Sequence, residues 1–84
     1  MSETIVVYTR EDCHLCEEML RALGPWAEAR GLAVVVRDVD SDPDSQRRYG
    51  LKVPVVESDG LLVCYGQLDL VELERLYRPV RPAL

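Results

Sequence analysis

Positive charge is scarce in this chain of 84 residues: ten Lys and Arg stand against fifteen Asp and Glu, a formal net charge of -5. Nucleic-acid binding rests on cations facing phosphate, so DNA and RNA are excluded as expected partners. Long apolar runs are missing as well. No stretch reaches the ~18 apolar residues of a transmembrane helix, and Met1-Ser2-Glu3-Thr4 has neither the basic start nor the apolar run of a signal peptide. The chain is therefore expected in the cytoplasm, with no membrane partner. Glycine and proline number only five each, while 48% of the residues are hydrophobic and 30% charged, which excludes collagen-like, low-complexity and disordered classes. Cysteine is limited to three, an odd number that cannot all pair within one chain. In a reducing compartment such cysteines point to redox or metal chemistry rather than structural bridges.

What remains is a short globular sequence, expected to form one domain over 1–84 and to act as a monomer. The charge is uneven. Residues 1–44 hold ten acids against four arginines, whereas residues 45–84 are close to neutral. Ile5-Val6-Val7-Tyr8 reads as a buried strand running into a polar loop, Thr9-Arg10-Glu11-Asp12. From Cys13 the period changes to helical, with Leu15, Met19, Leu23 and Trp26 on one side and Glu17, Glu18, Arg21 and Glu28 on the other. Gly24-Pro25 is expected to kink or restart this helix, and Gly31 to close it. Ala33 to Val36 read as a second strand, ending in an acidic loop. Asp42-Pro43 then caps and opens a short helix through Tyr49 that stops at Gly50. Val53-Pro54-Val55-Val56 and Leu61 to Tyr65 read as strands joined by a tight Asp59-Gly60 turn. Leu70, Leu73, Leu76 and Tyr77 mark a last amphipathic helix, and residues 79–84 a loose tail. The order β-α-β-α-β-β-α implies an α/β fold, a four-stranded mixed sheet flanked by three helices.

Cys13-His14-Leu15-Cys16 falls where the first strand hands over to the first helix. With Cys13 at the N-cap and Cys16 one turn further on, the two Cα atoms should lie within the roughly 5–6 Å that a disulfide prefers. The N-cap sulfur faces unpaired N–H groups and the positive end of the helix, both of which favour thiolate. Cys13 is thus the expected nucleophile and Cys16 the resolving thiol. Glu11, Asp12, Glu17 and Glu18 oppose that effect by like charge, and His14 when protonated supports it. The balance points to a reducing catalyst rather than a strongly oxidising one.

Three motifs in order resemble the glutaredoxin branch of the thioredoxin fold. They are Tyr8-Thr9-Arg10 ahead of Cys13-His14-Leu15-Cys16, Lys52-Val53-Pro54 before the third strand, and Gly66 with Asp69 after the fourth. The resemblance spans roughly Thr4 to Tyr77. It implies that Val53-Pro54 is a cis peptide set against the cysteines, leaving the N–H and C=O of Val53 to pair with an extended substrate. It further implies that Arg10, Lys52, Val53, Pro54, Gly66 and Asp69 line the substrate site, with Arg10 holding a substrate carboxylate or stabilising the Cys13 thiolate. Departures are also visible. His14-Leu15 replaces the usual Pro-Tyr between the cysteines, Lys52 replaces a Thr, and Tyr65 replaces the first of two glycines, which bears on glutathione binding.

Zinc would need four ligands, and beyond the pair only His14 and distant Cys64 remain, so no metal is expected. Cys64, in an apolar strand, reads as a small buried residue. The acidic stretch Asp38 to Asp44 lacks the central Gly and terminal Glu of an EF-hand loop. The function expected is thiol–disulfide oxidoreduction. The partners are a disulfide-containing protein or glutathione; glutathione is a candidate co-substrate and no cofactor is bound. The alternative is a non-catalytic thioredoxin-fold binding module whose CxxC is regulatory or vestigial.

Overall fold

The computed structural model describes residues 4–77; the expected loose tail, 79–84, lies outside them. The chain runs β1 (Thr4–Thr9), α1 (His14–Ala29), β2 (Ala33–Asp38), a 3-10 turn (Val39–Ser41), α2 (Pro43–Tyr49), β3 (Val55–Ser58), β4 (Leu61–Tyr65) and α3 (Leu70–Leu76). The four strands form one sheet in the order β2-β1-β3-β4. β1 pairs parallel with β2, as a strand reached through a crossover helix must, and antiparallel with β3. The β3–β4 hairpin turns on Asp59 and Gly60, both at positive φ (53° and 78°), the conformation that fits a two-residue turn to the strand twist.

Alternation along β1 distributes the core between the two faces of the sheet. Ile5 and Val7 join Met19 and Leu23 of α1, Val56 of β3 and Leu73 of α3 in one buried cluster. Tyr8 faces the other way, against Val39, Tyr49 and Val55 beneath α2. Each fully buried aliphatic side chain contributes about 1.5–3 kcal/mol.

Three local expectations change in detail. Helix α1 does not restart at Gly24-Pro25 but continues as one element to Ala29. Pro25 is exposed, and so is Arg21 one turn earlier, so the turn that proline weakens lies on the outer side of the helix. The helix closes where expected: Gly31, at φ 69°, donates to the Glu28 carbonyl at 3.1 Å and Leu32 to that of Ala27 at 2.9 Å. The buried stripe of α1 is Cys16, Met19, Leu23 and Ala27, which rotates Leu15 out to 51% exposure. Strand β3 begins at Val55 rather than Val53, since Pro54 has no N–H to give the ladder, and it runs on to Ser58.

Candidate active site

The cysteine pair follows the carboxyl end of β1. There the chain turns through Asp12, held at φ 59°, a left-handed conformation that Asp tolerates better than most residues. Cys13 follows in extended geometry as the N-cap of α1, its Sγ accepting the Cys16 N–H at 3.2 Å. Cys13 and Cys16 are joined in a disulfide with their Cα atoms 5.2 Å apart, inside the range such a bond accepts without moving the backbone. The two sulfurs differ in access: Cys13 is half-buried, whereas Cys16 is only 3% exposed and belongs to the core face of the helix.

The Val53-Pro54 peptide is cis. β1 and β3 pair Tyr8 with Val55, Val7 with Val56 and Val6 with Glu57. Continued one step, that register sets Pro54 level with Thr9, at the end from which the chain turns towards Cys13. Among the described residues, neither the N–H nor the C=O of Val53 has a backbone partner. Pro54 is anchored by its carbonyl, which accepts the Gly66 N–H at 2.8 Å. Gly66 sits at φ 76°, which a side chain would strain. Gly66 also lines, with Leu15, a cavity of about 150 Å³ between α1 and the β4–α3 loop. Gly66 thus joins the carbonyl of Pro54 to the cavity that Leu15 lines.

The remaining candidates have definite partners. Arg10, assigned from sequence to a substrate carboxylate or the thiolate, places Nε and Nη2 on the Asp40 carboxylate at 2.8 and 3.0 Å and Nη1 on the Gly50 carbonyl at 2.8 Å. This paired hydrogen bonding holds the Asp40 carboxyl below the usual carboxylate range and raises the guanidinium value. Lys52 lies with Nζ 5.5 Å from the centre of the exposed Tyr65 ring. Asp69 caps α3, its Oδ1 accepting the Glu72 N–H at 3.0 Å. His14 is exposed and pairs with Glu18, Nε2 to Oε1 at 2.9 Å. Cys64 is half-buried and free, and burial pushes its thiol up. Among the described residues, no cluster of His, Cys, Asp and Glu is placed to hold a metal, and no helix is long and apolar enough to cross a membrane.

Two interactions were not foreseen. Asp40 as the anchor of Arg10 follows from the parallel pairing of Thr9 with Asp38, which brings the two loops together. The second is Glu57, buried at 6% exposure and accepting the Tyr49 hydroxyl, with Arg48 Nη2 3.6 Å away. An acid directly after Val55-Val56 in a short strand was its one sequence signal.

A mixed sheet with this strand order, a CxxC pair at the cap of the first helix and a cis proline ahead of the third strand define a thioredoxin-like fold. Several solved chains share it. Protein Ne2328 from Nitrosomonas europaea, by solution NMR, is 31% identical with a TM-score of 0.80, over 87% of this chain and 88% of its own. Protein XcR50 from X. campestris, by X-ray, is 32% identical with a TM-score of 0.61, over 86% of this chain and 92% of its own. No curated protein matches significantly. The model of the glutaredoxin-like domain (DUF836) matches residues 4–77, and the chain belongs to that family.

Proposed function

We propose that the protein is a thiol–disulfide oxidoreductase that reduces protein or glutathione mixed disulfides. The observation that carries this reading is the unequal access of a pair already at bonding distance, with Cys13 open at the helix cap and Cys16 buried behind it. In the dithiol form, the Cys13 thiolate attacks one sulfur of a substrate disulfide and expels the other as thiolate, leaving a mixed disulfide. Cys16, having lost its proton, attacks the Cys13 sulfur and releases the second substrate thiolate. Two electrons pass to the substrate and the Cys13–Cys16 bridge remains. A thiol donor, glutathione or a dithiol reductase, restores the pair.

Two features support the cycle. The Cys16 N–H points at the Cys13 sulfur, and the helix end favours negative charge there. The unpaired amide of Val53 offers an extended substrate an N–H and a C=O. The test is a pair of serine variants in a mixed-disulfide reduction assay. Cys13→Ser should abolish reduction, and Cys16→Ser should accumulate the mixed disulfide on Cys13. The reverse pattern overturns the assignment of roles, and a wild-type pair that never cycles leaves the binding-module reading in its place.

A further inference from the structure

The cavity beside Leu15 has walls unlike its rim. Leu15, Met19, Ala22 and Leu68 supply apolar surface, Gly66 and Gln67 close one side, and the Glu18 carboxylate is the single ionisable group in the lining. Pockets that enclose whole small ligands run to roughly 300–1,000 Å³. This one, at about 150 Å³, matches one long side chain rather than a tripeptide. It opens next to Leu15, which projects from between the two cysteines at 51% exposure.

Acids outnumber cations around the mouth. Glu11 and Asp12 precede Cys13 and Glu17 and Glu18 follow it, and all four are exposed. Of the nearby cations, the exposed Arg21 follows Glu18 by three residues and leaves the four acids in excess, while two others are engaged elsewhere. Both guanidinium edges of Arg10 are taken by Asp40 and Gly50, and Lys52 lies over Tyr65. His14 is the group that meets Glu18. Glutathione carries two carboxylates and one ammonium, so this field disfavours it. A side chain with an apolar stem and a cationic head matches both the wall and the rim.

Resting on the oxidoreductase reading above, we infer that this cavity selects substrates: it receives a lysine or arginine side chain flanking the attacked cysteine of an extended polypeptide, so the protein prefers disulfides of cationic polypeptides to those of glutathione. The stem lies along Leu15, Met19 and Leu68, and the head reaches Glu18 in place of His14. The substrate backbone meanwhile pairs with Val53. The attack itself is unchanged: the Cys13 thiolate bonds to the peptide cysteine sulfur and the other sulfur leaves as thiolate.

The test uses pre-reduced protein in single turnover against short peptides whose one cysteine is disulfide-bonded to 5-thio-2-nitrobenzoate, so that release of the coloured thiolate reports the attack. The peptides differ only in the flanking residues, which are Arg, Ala or Glu, and glutathione carrying the same leaving group is a fourth substrate. The arginine peptide is expected to react about tenfold faster than the glutamate peptide and than the glutathione adduct at low ionic strength, with the ratio shrinking as salt screens the charges. Glu18→Lys should reduce or reverse the ratio. Ala22→Phe, which fills the cavity while keeping every charge, should slow the arginine peptide more than the alanine peptide. Equal rates for all four substrates, or a ratio untouched by both variants, overturn this inference and leave the oxidoreductase standing. If none of the four is attacked, the oxidoreductase reading and this inference both fall.

Discussion

Replacing Tyr49 with Phe removes one oxygen from the core, and the consequence can be worked out at two pH values. Tyr49 is 6% exposed and donates to the carboxylate of Glu57, itself 6% exposed. Among the described residues, the other group paired with that carboxylate is Arg48 Nη2, at 3.6 Å on a half-exposed arm. Without the hydroxyl, a buried acceptor loses its close donor, a cost of about 2 kcal/mol, which lowers the melting temperature of a domain this size by roughly 10 °C. At alkaline pH the same group acts through its own ionisation. Burial first, and then the bond to Glu57, push the Tyr49 phenol from 10.0 up to about 12. Between those values the unfolded chain has released the proton and the folded chain still holds it, so stability falls as pH rises. Two pKa units correspond to about 3 kcal/mol. The Phe variant has no such group, and its deficit against the wild type should therefore be full below pH 10 and close as pH approaches 12. Urea unfolding of both proteins across that range measures the gap directly. A variant within about 0.5 kcal/mol of wild type at neutral pH, or a gap that stays constant into alkali, would refute the reasoning.

Further outcomes follow from single contacts. Gly50→Ala drives a Cβ into the Gln46 carbonyl oxygen, beside the carbonyl that Arg10 grips, and should cost about 1–3 kcal/mol in urea unfolding. Gly66→Ala meets no atom within 4 Å but must hold φ 76°, a strain of about 1–2 kcal/mol. Because Gly66 anchors Pro54, it should also lower kcat/KM for disulfide reduction. Asp40→Asn should flatten the acid limb of the stability profile. The wild-type carboxyl titrates below its ordinary 3.8 when folded, so its contribution is present above that value and lost as pH falls through the lower folded one.

The parts of this fold that were legible in the sequence are those set by neighbours along the chain. The Asp59-Gly60 turn requires two positive φ values and a two-residue loop, and that requirement is written in the dipeptide. Cys13 as a cap, Pro43 in a first turn and Gly31 past a helix end are equally local. What escaped depends on partners distant in sequence. Nothing within reach of Arg10 along the chain announces Asp40, thirty residues on, because their meeting requires β1 and β2 to be registered first. Leu15 and Cys16 sit side by side in the helical pattern, and only the position of the sheet decides which of them faces it. Pro25 survives inside α1 because the turn it weakens faces water, a fact about packing rather than propensity. At the site, the chemistry-bearing pair was readable, while the engagement of Arg10, the cavity beside Leu15 and the burial of Glu57 were not.

The burial of Cys16 has a consequence for traffic through the proposed cycle. With one sulfur sealed in the core, whatever recharges the bridge must strike the other sulfur, through the opening that the customer has just left. Donor and customer thus share a single doorway and must take turns. A surplus of either should hold up the other, giving parallel double-reciprocal lines with mutual inhibition at high concentration. The donor, too, would have to tolerate an acidic threshold.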